Sequence, residues 1–442
     1  MTTAGVPGDR DVWRIAAPMI LSNVTVPLLG MVDTGVVGHL ENATYLGAVA
    51  VGSTIFSFLY TGMNFLRMGT TGIAAQRFGA SDNEGLRASL GQALIVALLI
   101  AAVLIALQAP VGGLAVRLIG GDATVQAFAY EYFAIRVWSA PGTLANYVLI
   151  GWFLGLQNAR VPLLIFLTIN VTNIVLDLLF VIGLGMKVDG VALASVIAEY
   201  TALLVALALA ARELRRHEGQ WPWARLVNFR AYTAYFSVNA NLFVRTMLLV
   251  FTFAFVTAQG ARLGGLVLAA NAVLMNLQHL TSFGLDGFAH AAEALVGKAI
   301  GAKEREALER SVRLCLKWSL IFSVLFVLAY VAAGPWFIRL LTDLPDVRGA
   351  AMQYLPWLII SPLVSVWSFL YDGVYVGATR ARSMRNIMLV STVLVFLPAW
   401  FLLQDLGNHG LWLAFMLFMA SRGIGMHLGY RRNVLSTVAP GL

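Results

Sequence analysis

Leu94-Ile-Val-Ala-Leu-Leu-Ile-Ala-Ala-Val-Leu-Ile-Ala-Leu107 and Leu389-Val-Ser-Thr-Val-Leu-Val-Phe-Leu-Pro-Ala-Trp-Phe-Leu-Leu403 decide the fold class. Neither stretch carries a charge, and neither alternates between polar and apolar residues. Hydrocarbon offers a backbone no hydrogen-bond partners, so only helices and closed barrels cross it. A barrel strand reads as about ten residues of alternating polarity, whereas a spanning helix needs about 20 mostly apolar ones. The unbroken runs therefore predict helices.

Working outward from these two runs, twelve such segments cover roughly 13–38, 46–74, 88–110, 124–155, 161–184, 189–211, 234–259, 266–296, 312–334, 347–377, 385–404 and 409–430. The fourth, eighth and tenth are longer than a simple crossing requires. Composition agrees: of 442 residues, 59% are hydrophobic and 12% charged, against about 45–50% and about 25% in soluble domains. The mean hydropathy is +0.79. Soluble globular and intrinsically disordered classes are excluded, and an all-α integral membrane protein of twelve transmembrane helices is predicted.

The first segment does not read as a signal peptide, because it is long, holds Asp33 and lacks a small-residue cleavage site. The single cysteine, Cys315, reads as a small buried hydrophobe. The net charge of +8 follows topology. With both termini cytoplasmic, the inner loops and tails hold Arg77, Arg87, Arg160, the cluster Arg212 to Arg230, Lys298 to Arg313, Arg380 to Arg385, Arg431 and Arg432. The outer loops hold only Arg117, Lys187, Arg262, Arg339 and Arg348, which is the positive-inside bias. No base-stacking or phosphate-binding module accompanies the charge, so nucleic acid is not an expected partner.

Sliding the chain against itself by 222 residues superposes Gly62 on Gly284 and Arg77-Phe-Gly79-Ala80 on Ala299-Ile-Gly301-Ala302. The same shift brings Gly151 to Gly373, Gly155 to Gly377, Ala159 to Ala381 and Arg160 to Arg382. A shift of 220 superposes Gly190-Val-Ala-Leu-Ala194 on Gly410-Leu-Trp-Leu-Ala414. The chain thus reads as two six-helix lobes of like orientation, 1–212 and 234–442, joined by a polar cytoplasmic linker, 213–233. Parallel repeats of this kind point to alternating access by two lobes about a central site. The alternative is repeat ancestry without transport, as in a channel or a scaffold.

A charged side chain at the bilayer centre costs about 2.5–3.5 kcal/mol on insertion scales, so each such residue needs a reason. Asp33 follows Pro27 and Gly30 in Pro27-Leu-Leu-Gly-Met-Val-Asp33-Thr-Gly35; Pro27 removes a helical hydrogen bond and predicts a hinge before the acid. The plain alternative is an acid solvated near a helix end. Asn170, Asn173 and Asp177 fall at i, i+3 and i+7, one polar stripe on an otherwise aliphatic helix. If Asp33 and Asp177 face each other they can share a proton, because like charges resist joint ionisation. The alternative is a hydrogen-bonded staple between helices.

The eighth span carries His279, Ser282, Asp286, His290 and Glu293 at spacings of three or four. Asp286 is the repeat equivalent of Asn64, and Arg67 follows nearly one turn later. With Arg245 and Asp372 these suggest a polar, partly anionic second-lobe pocket with a balancing cation. Glu199 reads equally as pocket residue or structural pair. His279 and His290 lie about 16 Å apart along a helix, so one metal ion cannot bridge them. No Cys/His cluster, nucleophile–base arrangement or phosphate-binding loop is apparent, so neither a metal site nor an enzyme is expected.

Trp13-Arg-Ile-Ala-Ala-Pro18, Pro27 to Leu40, Ala75-Gln-Arg-Phe-Gly-Ala80, Asn173-Ile-Val-Leu-Asp177, Val196-Ile-Ala-Glu-Tyr200, Asp286-Gly-Phe-Ala289, Asp372-Gly373 and Gly377-Ala-Thr-Arg-Ala-Arg382 together resemble the MATE multidrug and toxic compound extrusion transporters, and within them the DinF branch. The resemblance covers essentially the whole chain. It implies a V-shaped pair of six-helix bundles in the bacterial inner membrane, a monomer exporting drug-like organic cations or other amphipathic compounds. It implies no cofactor beyond a coupling ion, the proton, with sodium as the alternative. By the same resemblance Asp33 is the protonation site and Asn173 and Asp177 its partners. The sodium-coupling acids of the NorM-like branch have no counterpart in the apolar core of the seventh span, and Asp372 does not align cleanly with the tenth-helix one. A lipid-linked-precursor flippase would want a strongly cationic cavity, whereas acids outnumber arginines among the candidates here.

Overall fold

A computed structural model of the chain describes residues 6–37 and 43–438, and the side chains at 26–34, 36, 37, 43, 229, 231 and 234 lie outside that description. Among the described residues the chain forms twelve long helical rods. They are α1 (Asp9–Val37), α2 (Thr44–Gly79), α3 (Asn83–Ala106), α4 (residues 123–155), α5 (Arg160–Gly183), α6 (Val188–Leu214), α7 (Tyr235–Arg262), α8 (Gly265–Gly301), α9 (Arg305–Leu341), α10 (Pro345–Gly377), α11 (Ala381–Leu406) and α12 (Asn408–Thr437). Ten of the twelve are long and apolar enough to cross a membrane, and α1 and α4 complete the set.

Starts and breaks follow local chemistry. Asp82 caps α3 by accepting from the Gly85 N–H at 2.8 Å, and Asp122 caps α4 by accepting from Thr124 and Val125 at 2.9 Å. The run expected over 88–110 ends at Ala106; a separate short helix, Gln108–Ile119, takes Pro110 into its first turn, where a missing N–H costs nothing. The fourth rod is two helices, Ala123–Arg136 and Ala140–Gly155, joined by the 3-10 turn Val137–Ser139 just ahead of Pro141. Rod α2 is interrupted at Asn64, and α5 and α11 each contain a π-helical stretch, Leu178–Gly183 and Val390–Phe396.

The chain divides into two compact units: Leu21–Arg77 with Asp82–Tyr235, and Met1–Ile20 with Phe78–Ser81 and Phe236–Leu442. In the first, Phe133, Trp152 and Phe153 are wholly buried, and Phe56 stacks on Phe133 at 5.2 Å. In the second, Tyr330, Phe396, Trp412, Phe415 and Phe418 form the core. There the Asn271 amide exchanges hydrogen bonds with Asn408 and accepts from Trp412, tying α8 to α12.

The internal repeat is visible atom by atom. A Cβ on Gly151 of α4 would strike the Arg67 carbonyl of α2, and one on Gly155 would strike the Thr71 carbonyl. At the same offset of 222, Gly373 of α10 closes on the Ala289 carbonyl of α8 and Gly377 on the Glu293 carbonyl. Among the described residues, four non-glycine residues have positive φ, and they form two pairs 222 apart: Ser81 (54°) with Lys303 (58°), and Gln157 (61°) with Thr379 (54°). Each ends a helix in a left-handed turn that returns its amide to a carbonyl three residues back, at 2.9–3.1 Å.

Candidate functional site

In the first-half unit the polar stripe of α5 faces inward. Asn170, Asn173 and Asp177 are 8%, 1% and 0% exposed, while Val171 and Val175 between them are 57% and 56% exposed. A helix in lipid turns its aliphatic side outward and hides the groups that need partners. Asn173 Nδ2 donates to Ser195 Oγ of α6 at 3.1 Å, and Asn170 Nδ2 donates to the Thr25 carbonyl of α1 at 3.3 Å. Asp177 is the last α-helical residue before the π-helical stretch, a local widening common at functional positions. Ser195 was missed from sequence; its spacing from Glu199, one turn on, is the signal that could have flagged it. Asp33, Pro27 and Gly30 fall within α1, and their side chains lie outside the described residues.

Elsewhere in this unit, Arg67 Nε donates to Asn64 Oδ1 at 3.1 Å across the interruption in α2. Glu199 of α6 is buried against α4: its Oε2 and its backbone oxygen both accept from Asn146 Nδ2, at 2.9 and 3.0 Å. Gly142 lets the two backbones approach there, and the Arg136 charge acts on the carboxylate.

The second-half unit gathers a different set. Asp372 of α10 holds two guanidiniums on one carboxylate oxygen: Arg245 of α7 donates to Oδ2, and Arg422 of α12 donates to the same atom at 2.6 Å. Arg245 and Arg422 are 7% and 2% exposed, so both charges are taken out of solvent. Arg422 also lies over the Phe418 ring at 5.3 Å, and Asp286 of α8 acts on it electrostatically. Sequence reasoning paired Arg245 and Asp372 in one lobe but passed over Arg422.

The α8 stripe is only partly inward. His290 and Glu293 are buried and paired at 3.4 Å, and Asp286 is half-buried. His279, counted with them from its spacing, is exposed and stacks on Phe253 at 5.7 Å. The buried polar group at that level is Gln278, which accepts from Ser361 of α10. Among the described residues, no three His, Cys, Asp or Glu side chains converge as metal ligands would.

The MatE family profile matches residues 18–179 and 242–401, one block in each half. DNA damage-inducible protein F of Escherichia coli K12 is 44% identical over 428 residues, covering 96% of this chain and 92% of that protein. The multidrug resistance protein NorM of Vibrio vulnificus is 26% identical over 446 residues, covering 95% of each. A crystal structure of MATE in the straight conformation superposes with a TM-score of 0.88 over 99% of both chains at 20% identity, a likeness of fold. The doubled architecture, the paired crossings and the matches through both halves agree, and the chain belongs to the MatE family of membrane transporters.

Proposed function

We propose that the protein is a proton-coupled multidrug exporter of the inner membrane, with both termini cytoplasmic, which antiports amphipathic organic cations by alternating access. The observation that carries the reading is the contrast between the acids of the two halves. Asp177 is buried one turn beyond an asparagine fixed to Ser195, at a π-helical junction that can rearrange. Asp372 is occupied by two guanidiniums, a poor site for a sodium ion because a third cation would meet two fixed positive charges. The first half therefore carries the coupling: Asp33 and Asp177 take up a proton from outside, α1 bends at Pro27, and substrate leaves as the acids lose their charge. In the first half Asn64, Arg67 and Glu199, and in the second half Asp286, are the polar groups assigned to substrate. A proton exchanged for one monovalent cation moves no net charge, so the pH difference drives the exchange, and each pH unit, about 1.4 kcal/mol, supports an approximately tenfold substrate gradient.

The test is efflux of ethidium-like cations from liposomes holding the purified protein, with pH and sodium gradients imposed separately. Efflux should follow the pH gradient and fall at least about tenfold in Asp33→Asn and Asp177→Asn, in line with losing a general proton carrier. Efflux driven by sodium alone, or unchanged in both variants, would overturn the proposal.

A further inference from the structure

The linker between the repeats holds chemistry that transport does not use. It begins where α6 ends at Leu214 and lies against the start of α3: Arg87 Nη2 donates to the Leu214 carbonyl at 2.7 Å, and Gly219 passes beside Asn83 and Glu84. The short helix Trp223–Leu226 is seated on α3 through Leu226 over Gly91, and Gln92 of α3 donates to the Arg225 carbonyl. Tyr232 closes the segment by donating to the Leu226 carbonyl at 2.8 Å. The linker is thus held at the level where two spanning helices leave the hydrocarbon.

At that level its outward side is both apolar and cationic. Trp221, Trp223 and Val227 are 40%, 68% and 76% exposed, although nothing in a polar connector requires large apolar groups in water. Arg212, Arg215, Arg225 and Arg230, in the same segment, are exposed as well. The acids of the segment are Glu213, engaged by Arg216 at 3.0 Å, and Glu218, so the net charge is positive. Indole rings favour the headgroup layer, where one edge is wet and the other apolar. Arginines beside them favour an anionic surface.

We propose that residues 212–230 form an interfacial anchor that binds the surface of anionic phospholipid, with Trp221, Trp223 and Val227 inserted at the headgroup boundary and Arg212, Arg215, Arg225 and Arg230 on the phosphates. The occupant is the bilayer surface itself, selected by the charge of the arginines and the depth of the tryptophans. This reading is independent of which ion drives transport.

The experiment is hydrogen–deuterium exchange of the full-length protein in nanodiscs of phosphatidylcholine alone or mixed with phosphatidylglycerol. Amides of 221–230 should exchange more slowly in the mixed discs, by about fivefold for each arginine engaged, and high salt should erase the difference. The quadruple variant R212Q/R215Q/R225Q/R230Q should lose the lipid dependence, and the matching quadruple lysine variant should keep it. Both should retain the exchange pattern of α3 and α6, which shows the fold intact. Equal exchange in the two lipids, or a glutamine variant that still responds to phosphatidylglycerol, would overturn the proposal. Protection produced in phosphatidylcholine discs by soluble glycerol phosphate would overturn it too, by marking a free-anion site.

Discussion

Asp372 shows what a single side chain can hold together. One carboxylate oxygen receives guanidiniums from two other helices, and both cations are almost fully buried. Removing the shared anion leaves two uncompensated charges, whereas removing one arginine leaves a pair. Asp372→Ala should therefore cost about 3–5 kcal/mol of stability, the usual loss on breaking a buried pair, and Arg422→Leu should cost less. Thermal unfolding in detergent checks the order, and the reverse order would mean that Arg245 is not the lasting counter-ion. Arg422 escaped the sequence reading because it stands ten residues before Arg432, in what reads as the approach to a basic helix end. Its burial depends on Asp372 and Arg245, fifty or more residues away along the chain, and no local pattern reports that. The α5 stripe was legible for the opposite reason. Its three polar groups share one helix face, and periodicity alone places them together.

Helices pack closely here where glycine lets backbones touch, and the same residue elsewhere on the same helix does something else. On α10, a methyl group at Gly373 meets the Ala289 carbonyl, while one at Gly349 meets nothing within 4 Å. Gly373→Ala should push α10 off α8 and destabilise by about 1–3 kcal/mol. Gly349→Ala should stabilise by up to about 1 kcal/mol through better helix propensity. Opposite shifts in the melting temperature of the two variants would verify this, and Gly151→Ala should behave like its repeat equivalent. Because packing of this kind sits at fixed offsets, the repeat could be read from glycines before any contact was known. The break at Val137–Ser139 has a visible cause in Pro141, which has no N–H for the Val137 carbonyl, whereas the interruption at Asn64 has no such residue to announce it.

At the scale of the molecule, residues 7–20 fold with the second half of the chain. Trp13 packs edge-on against Phe288 and Trp318 at 5.5 and 5.1 Å, and Ile20 lies against Gly287. Arg310 donates to the Pro7 carbonyl at 2.9 Å, and Asp9 accepts from Lys317 and the Trp318 indole at 2.8 and 2.6 Å. Hydrogen bonds from Lys317 and Trp318 hold the Asp9 carboxyl below its ordinary value of 3.8. A carboxyl depressed in the folded state contributes stability above the unfolded value and loses it as pH falls through the folded one. The melting temperature should therefore exceed that of Asp9→Asn at neutral pH, and the gap should close as the pH is taken well below 3.8. A gap that persists in acid would assign the effect to something other than the charge on Asp9.

This strap also sets a schedule for biogenesis. Phe288 is made about 275 residues after Trp13, which at about 5–20 residues per second leaves the first segment without its aromatic partners for on the order of 10–60 s. Throughout that interval the Trp13 face of the first helix is without the rings that cover it in the folded protein. The contact of Trp13 with Trp318 can form only after the ninth helix has been made, so a chain truncated before it keeps the first-half contacts of α1 at Thr25 but lacks those of its N-terminal turns.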